Sequence, residues 1–407
     1  MDKKFLFWHS PAEAIVWLVL LLMGIGAINV FSASYVRAGI DMENPYYFLI
    51  RYVIFGLVGL GLFFWLGYRV NYKRLMTPRV LGLMAAVAVL SLLAVFGVGE
   101  VVNGARRWIR IPAVGSFQPS EMVKLLEVII GAHYLGERMR KGLIATFRDK
   151  DCLILMGFSG LLGLFVFLQP DMGTATIVWG LMMGLFFMAG LPWVETGVVA
   201  LVGGLGLITL AKMAPYRMAR LTQWLDPWKD AQGTGYQTVQ SLLAIGTGGF
   251  SGMTWGQGTG KFFYLPESHT DFAFAIFCQE WGFIGVLLMV ACFFLLLWAL
   301  VLIMWNTRNP RGFLLVGGVT MLVVGQSVAN MLMVSGCAPV IGVPLVFISY
   351  GGTSMVMNLV GLGLVLSVYR DERRKREIVE RYNAGLPPVE KPGLRVVRRN
   401  GGRRPLR

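Results

Sequence analysis

The chain has 407 residues, 56% of them hydrophobic and 14% charged, against about 45–50% apolar and about 25% charged in an ordinary soluble domain. That balance excludes a conventional soluble enzyme and leaves too little polar sequence for a separate soluble domain of typical size. Lys and Arg outnumber Asp and Glu by 37 to 22, a formal net charge of +15, and in so apolar a chain the excess reads first as an orientation and lipid-contact signal.

A membrane-crossing helix needs about 20 mostly apolar residues. In chain order, such runs occupy 12–35, 46–68, 80–97, 118–135, 152–168, 174–190, 194–213, 272–305, 311–335 and 345–369. They predict an all-α, polytopic integral membrane protein with about ten transmembrane helices. The first run follows Lys3 and Lys4 and contains Ser32-Ala33-Ser34, but its length and the spans behind it favour a retained anchor over a cleaved signal. The fourth carries Glu121, Lys124 and Glu127 at i, i+3 spacing, either a mutually neutralising structural network or functional intramembrane charge. The fifth and sixth are separated only by Gln169-Pro170-Asp171.

With the N-terminus in the cytoplasm, the loops 69–79, 136–151 and 306–312 lie inside with their Lys and Arg, as positively charged loops should. From Arg370 onward the chain holds 13 bases and 5 acids, which puts the C-terminus in the cytoplasm as a polybasic segment near anionic lipid. The organisation expected is therefore one membrane domain, 1–369, with a large extracytoplasmic loop at about 214–271, and a disordered basic tail, 370–407. No nucleic-acid recognition motif accompanies the charge. Cys152, Cys278, Cys292 and Cys337 fall in or beside apolar runs without Cys-x-x-Cys spacing and read as buried thiols.

Polar residues concentrate on the outer side. Asn103 to Arg110 sets Arg106, Arg107 and Arg110 around Trp108, against the orientation rule; an anionic ligand at the outer surface and simple headgroup anchoring explain this equally well. In the long loop, Tyr236 to Ile245 predicts a short amphipathic helix, followed by a glycine-rich stretch to Gly260 that suits either a phosphate cradle or a re-entrant turn. Gly260-Lys261 is not a Walker A motif, since Phe262 follows and Trp255 stands where its first glycine is required. Asp171, Asp226 and Asp271 each sit where a cap or turn would use them. Asp271 has the more open chemical case, because Lys261, Glu267 and His269 are near in sequence and it stands where an outer loop enters the membrane. Glu280, farther into that span, pairs with Arg51 or Lys124 or else serves function.

Together, Gly104-Ala105-Arg106-Arg107-Trp108-Ile109, Gln118-Pro119-Ser120-Glu121, Gln169-Pro170-Asp171-Met172-Gly173-Thr174, His269-Thr270-Asp271-Phe272 and Ser349-Tyr350-Gly351-Gly352-Thr353-Ser354 resemble the SEDS family of shape, elongation, division and sporulation proteins, which includes FtsW, RodA and SpoVE. Asp226-Pro227-Trp228 and Gly235-Tyr236-Gln237 look more like its division branch. The resemblance implies an inverting peptidoglycan glycosyltransferase of the bacterial plasma membrane, at the division septum. It would polymerise lipid II into β-1,4-linked glycan, with a class B penicillin-binding transpeptidase and other divisome proteins as partners. It also implies that Asp271 is catalytic. The family's usual Leu-Pro-Phe is missing from Ile341 to Phe347.

Lipid II is a disaccharide-peptide on a polyprenyl diphosphate, so its polymerase needs a base for the acceptor hydroxyl and cations for the leaving group. Asp271 is the expected base. Arg106, Arg107, Trp108, Lys261, Glu267, His269 and Arg217 are the expected substrate contacts, and Glu121, Lys124, Asp171, Glu280, Ser349 and Gly351 the supporting motif residues. No metal ligands can be assigned, but a divalent cation, Mg or Mn, is a candidate cofactor for the diphosphate. The alternatives are a lipid II flippase, with Glu121, Glu127, Glu280 and Arg51 along a headgroup path, and an elongation-type transferase of the same family.

Overall fold

A computed structural model describes residues 8–102, 104–112, 115–212, 224–262 and 264–384. Ten long helices occupy the expected spans: α1 (Pro11–Asp41), α2 (Tyr47–Tyr68), α4 (Pro78–Val98), α5 (Pro119–Arg140), α6 (Lys150–Leu168), α7 (Met172–Met188), α8 (Trp193–Lys212), α10 (Ala273–Trp305), α11 (Pro310–Val334) and α12 (Gly352–Asn383). A single cytoplasmic turn, α3 (Tyr72–Leu75), the outer-loop helix α9 (Tyr236–Gly248) and a 3-10 turn at Pro227–Asp230 complete the helical set among the described residues. Seven of the long helices are apolar and long enough to cross a membrane on their own account, α7 and the Trp193–Gly206 part of α8 are shorter, and α5 carries buried charge.

Local chemistry sets the helix starts. Proline stands in the first turn of α1, α4, α5 and α11, where its missing N–H costs nothing and its fixed φ suits the helix. Side-chain oxygens of Ser10, Asp149, Asp171 and Asn309 accept from the opening backbone N–H groups of α1, α6, α7 and α11. The buried face of α2 is built on Gly56, Gly59 and Gly67, and it packs closely on α12; a Cβ at Gly59 would lie 2.5 Å from a Leu359 methyl. Small residues at such a contact let two spans approach, which is how helices associate where lipid is as apolar as leucine. The other side of α2, with Val53, Ile54, Leu57 and Trp65, is exposed to the bilayer. α11 and α12 are mostly buried and form the centre of the bundle.

Four features depart from the expected pattern. The outer loop after α4 is a three-stranded antiparallel sheet of β1 (Glu100–Val102), β2 (Ala105–Ile111) and β3 (Gly115–Phe117), in the order β1-β2-β3. Next, α10 is broken at Gly282 (φ 61°, ψ −165°), and the backbone from Gly249 to Met253 splints the break: Phe283 N donates to Gly249 O at 3.0 Å and Met253 N to Gln279 O at 3.0 Å. Gly252 must be glycine there, since its φ is +82° and a Cβ would meet Glu280 O at 2.1 Å.

The expected last span, 345–369, begins only at Gly352, because the preceding residues are not helical. Pro344 has no N–H to give a helix, Phe347 takes a left-handed φ of 67°, and the side chains of Val343, Leu345, Val346, Phe347 and Ile348 are nevertheless buried in the bundle. Finally, α12 continues past the membrane boundary drawn at 369 as far as Asn383. Asp371 pairs with Lys73 at 2.7 Å and Lys375 at 2.9 Å, and Arg376 donates to Asn306 O at 2.8 Å, so the start of the basic tail is tied to the cytoplasmic loops.

Candidate active site

The turn that precedes α10 brings Asp271 to the outer mouth of the bundle. Glu267, in a left-handed conformation (φ 53°), accepts at its carbonyl from Thr270 N and Phe272 N, both at 3.2 Å, and its carboxylate accepts from the Thr270 hydroxyl at 2.8 Å. Asp271 is half-buried and stands just before the N-terminus of α10, where the helix dipole favours an anion. Its carboxylate faces Gly342, whose φ is +66° and whose Cβ position lies 3.4 Å from Asp271 Oδ2. Its backbone carbonyl accepts from Asn330 Nδ2 at 2.7 Å. The carboxylate is thus set between the entry of α10 and the non-helical stretch before α12.

His269 is a wedge rather than a cation. It is buried, its ring lies 4.5 Å from that of Phe48, and its carbonyl accepts from Tyr350 N at 2.8 Å. Burial holds the imidazole down to about 4 from its ordinary 6.5, outweighing the pull of Glu267 toward the protonated form. Above it, Arg51 of α2 is half-buried, with its guanidinium 4.6 Å over the Tyr47 ring and beside the Tyr350 hydroxyl. Among the described residues Arg51 has no carboxylate partner within ion-pair distance.

Several expected substrate contacts turn out to be engaged elsewhere. Lys261 is buried and donates to Glu280 Oε1 at 2.9 Å and to Ser32 Oγ at 3.1 Å, while the Ser32 hydroxyl donates to the Glu280 carboxylate at 2.7 Å. Its charge is neutralised inside the bundle, and Glu280 pairs with it instead of with Arg51 or Lys124. Arg107 donates to Gln169 O at 3.2 Å and to Pro170 O, and lies 3.9 Å from Asp171. Asp171 caps α7 through Thr174 and accepts from Gln118 at 3.4 Å. These contacts draw three of the sequence motifs into one structural knot beside the sheet. Arg106 is exposed and donates to Phe96 O at 3.1 Å; Trp108 is half-buried opposite Glu100. Arg217 lies outside the described residues.

In α5, Lys124 donates to Glu121 at 2.7 Å and to Gln326 Oε1 at 2.6 Å, and Gln326 Nε2 donates on to Pro344 O at 3.1 Å. Glu127 is fully buried beside Ser159, and neither makes a hydrogen bond of good geometry. Ser349 Oγ accepts from Leu345 N at 3.0 Å, and Gly351 stands just before α12 against Pro344. Both shape the non-helical stretch. Sequence reasoning weighed Arg51 only as a partner for Glu280 or as part of a flippase path, and it passed over Gln326 and Asn330. The last two are polar, one helical turn apart within an apolar span, a same-face pattern that marks buried polar work. Among the described residues, no group of three or more His, Cys, Asp and Glu is arranged to hold a metal.

Residues 13–374 match the FtsW, RodA and SpoVE family, described as cell cycle protein. Stage V sporulation protein E of Bacillus subtilis (strain 168) is 37% identical over 364 residues, 89% of this chain and 98% of that protein. A probable peptidoglycan glycosyltransferase FtsW of Thioalkalivibrio sp. (strain K90mix) is 39% identical over 381 residues, 92% of each chain. Among solved structures, a chain of a peptidoglycan synthase complex that coordinates polymerization and crosslinking superimposes with a TM-score of 0.71 at 28% identity, covering 88% of this chain and 97% of that one. Thermus thermophilus RodA, a rod shape determining protein, gives 0.61 at 30% identity, covering 88% and 96%.

Proposed function

The chain belongs to the FtsW, RodA and SpoVE family and is a peptidoglycan glycosyltransferase; from that premise we propose that it joins lipid II units at the outer face of the plasma membrane, with Asp271 as general base. The observation that carries the assignment is the half-buried Asp271 carboxylate at the outer mouth, beside Gly342 and pinned through its own backbone. Asp271 takes the proton from the acceptor sugar's 4-hydroxyl. The oxygen then forms a bond to the donor's anomeric carbon, and the bond from that carbon to the diphosphate breaks with its electron pair leaving on phosphate. Attack opposite a departing α-linked diphosphate inverts the centre and yields a β-1,4 linkage. Because diphosphate is a good leaving group, one carboxylate suffices where glycosidases often employ two.

Among the described residues, Arg51 is the cation best situated to meet the departing charge, since Lys261 and Arg107 are bound within the protein. A Mg or Mn ion would be carried mainly by the diphosphate, with Asp271 or Glu267 as its protein contact. Such ions commonly bind through one or two carboxylates plus substrate phosphates, so no three-residue cluster is required. It would supply further neutralisation of the leaving group. The likeness to the peptidoglycan synthase complex supports a transpeptidase partner of the class B penicillin-binding type, and the FtsW relatives support a septal, divisome-associated role over an elongation role.

The test is polymerisation of lipid II in detergent by the purified chain, with and without a class B transpeptidase and divalent metal, for the wild type and Asp271→Asn. Polymer from the wild type and none from a folded Asp271→Asn variant is expected. Normal polymerisation by that variant would remove Asp271 as the base. No wild-type polymer under any condition, together with leaflet transfer in liposomes, would favour a flippase, since detergent abolishes the two-leaflet geometry.

A further inference from the structure

The non-helical stretch before α12 poses a problem that helices do not have. Its carbonyls lie inside the membrane domain, where an unpaired one costs several kcal/mol. Four side chains from three spans meet that demand. Asn330 Nδ2 donates to Val343 O at 2.6 Å, Gln326 Nε2 to Pro344 O at 3.1 Å, the Tyr52 hydroxyl to Phe347 O, and Asn29 Nδ2 to Ile348 O at 3.5 Å. Two of these donors do more than support the stretch. Asn330 Nδ2 also donates to Asp271 O at 2.7 Å, and Asn29 Nδ2 to Ala273 O at 3.1 Å.

Each asparagine therefore bridges the same two pieces of backbone, the stretch that contains Gly342 and the entry of α10 that carries the base. They do so from opposite neighbours, Asn29 from α1 and Asn330 from α11. Both are essentially excluded from solvent, at 1% and 0% exposure, so neither can touch substrate. The register of α11 bears on this. A π turn at Met321–Gly325 directly precedes Gln326, and such a turn shifts every following side chain around the helix axis. Gln326 and Asn330, one turn apart, both reach the stretch beyond α11.

We infer that Asn330, with Asn29 as the second point of the clamp, is a positioning residue of the transferase: it fixes the Asp271 backbone against the Gly342 segment and so sets where the carboxylate meets the acceptor hydroxyl. The inference rests on the assignment of Asp271 as base. A base displaced by about 1 Å loses on the order of 100-fold in rate, whereas the binding of a lipid substrate by other residues does not depend on this contact. Breaking the clamp lowers kcat and leaves KM nearly unchanged.

The experiment uses the full-length chain with its transpeptidase partner and lipid II, comparing wild type, Asn330→Leu, Asn29→Leu and Asp271→Asn. Rates are taken per folded molecule, below each variant's own thermal midpoint. Expected for Asn330→Leu is a kcat lower by about 10- to 100-fold with KM within about twofold of wild type, and a change in the same direction for Asn29→Leu. Wild-type kcat per folded molecule in Asn330→Leu would overturn the inference, because a residue that only stabilises the fold changes how many molecules are active and not how fast each works. If Asn330→Leu does not fold, Asn330→Ser replaces it; its hydroxyl can serve only one of the two carbonyls, so a reduced kcat supports the clamp and wild-type kcat refutes it. Activity retained by Asp271→Asn removes the base assignment itself. Activity abolished there but normal in the Asn330 variants removes only the clamp.

Discussion

Lys261 is the residue for which sequence and structure give opposite roles, and one pair of variants separates them. As a substrate contact it would face a diphosphate. In the structure its ammonium and the Glu280 carboxylate are 2.9 Å apart with both side chains at 0% exposure, and Ser32 bonds to each. Removing Lys261 alone, as Lys261→Met, leaves an uncompensated carboxylate in the bundle, which costs about 3–5 kcal/mol. With an unfolding entropy of about 2.1 cal/mol/K per residue, that corresponds to a fall in thermal midpoint of roughly 4–6 °C for a chain of this length. Replacing both partners, as Lys261→Met with Glu280→Gln, removes both charges and keeps an acceptor for Ser32, so most of the loss should return. The assay is thermal unfolding of purified protein in detergent, followed by lipid II polymerisation by each variant. A stable, active double variant is expected. A double variant that is stable but inactive, with the single variant also stable, would refute the pairing argument and return Lys261 to the diphosphate.

Two further outcomes follow from the mouth of the site. Arg51→Ala should raise the KM for lipid II by about tenfold or more, since a hydrogen bond to a charged group contributes about 1.5–3 kcal/mol; an unchanged KM in the polymerisation assay would exclude contact with the diphosphate. His269 is held neutral in the fold, its imidazole lowered to about 4 by burial. The unfolded chain therefore takes up its proton first, and the contribution of His269 to stability is full above about pH 6.5 and lost as pH falls toward 4. His269→Phe should flatten the pH dependence of the unfolding midpoint in that window by about one proton, or about 1.4 kcal/mol per pH unit. Equal slopes for the two proteins would contradict it.

The spans were legible because a bilayer leaves the backbone few choices, and apolar length alone then reports a helix. The same logic misread 345–351. Val343 to Ile348 is as apolar as any span, and hydropathy does not distinguish a helix that satisfies its own carbonyls from an irregular stretch satisfied by other side chains. Pro344 was the available local sign. The position of Asp271 at a membrane entry was legible from the long apolar run that follows it. Its clamp was not, since Asn330 and Asp271 are 59 residues apart and Asn29 and Ala273 are 244 apart. Lys261, Glu280 and Ser32 escaped for the same reason: the partner that decides what the lysine does comes from the first span.

The outer basic residues illustrate how far net charge is from available charge. Read along the chain, Arg106, Arg107, Arg110 and Lys261 form a cationic outer surface suited to a diphosphate. In the fold, Lys261 is neutralised by Glu280, Arg107 is spent on the carbonyls before α7 and on Asp171, Arg110 lies 3.4 Å from Glu100, and Arg106 bonds to a carbonyl at the end of α4. Arg51, which counted for little because it lies inside a span, instead stands over the Tyr47 ring beside Tyr350, whose backbone N–H bonds to the His269 carbonyl, and among the described residues no carboxylate lies within ion-pair distance of it. A guanidinium over Tyr47 keeps its charge and remains able to accept an anionic partner. The positive charge available to a departing diphosphate is therefore set by what each cation is already bonded to, and the half-burial of Arg51 strengthens its effect by lowering the local dielectric.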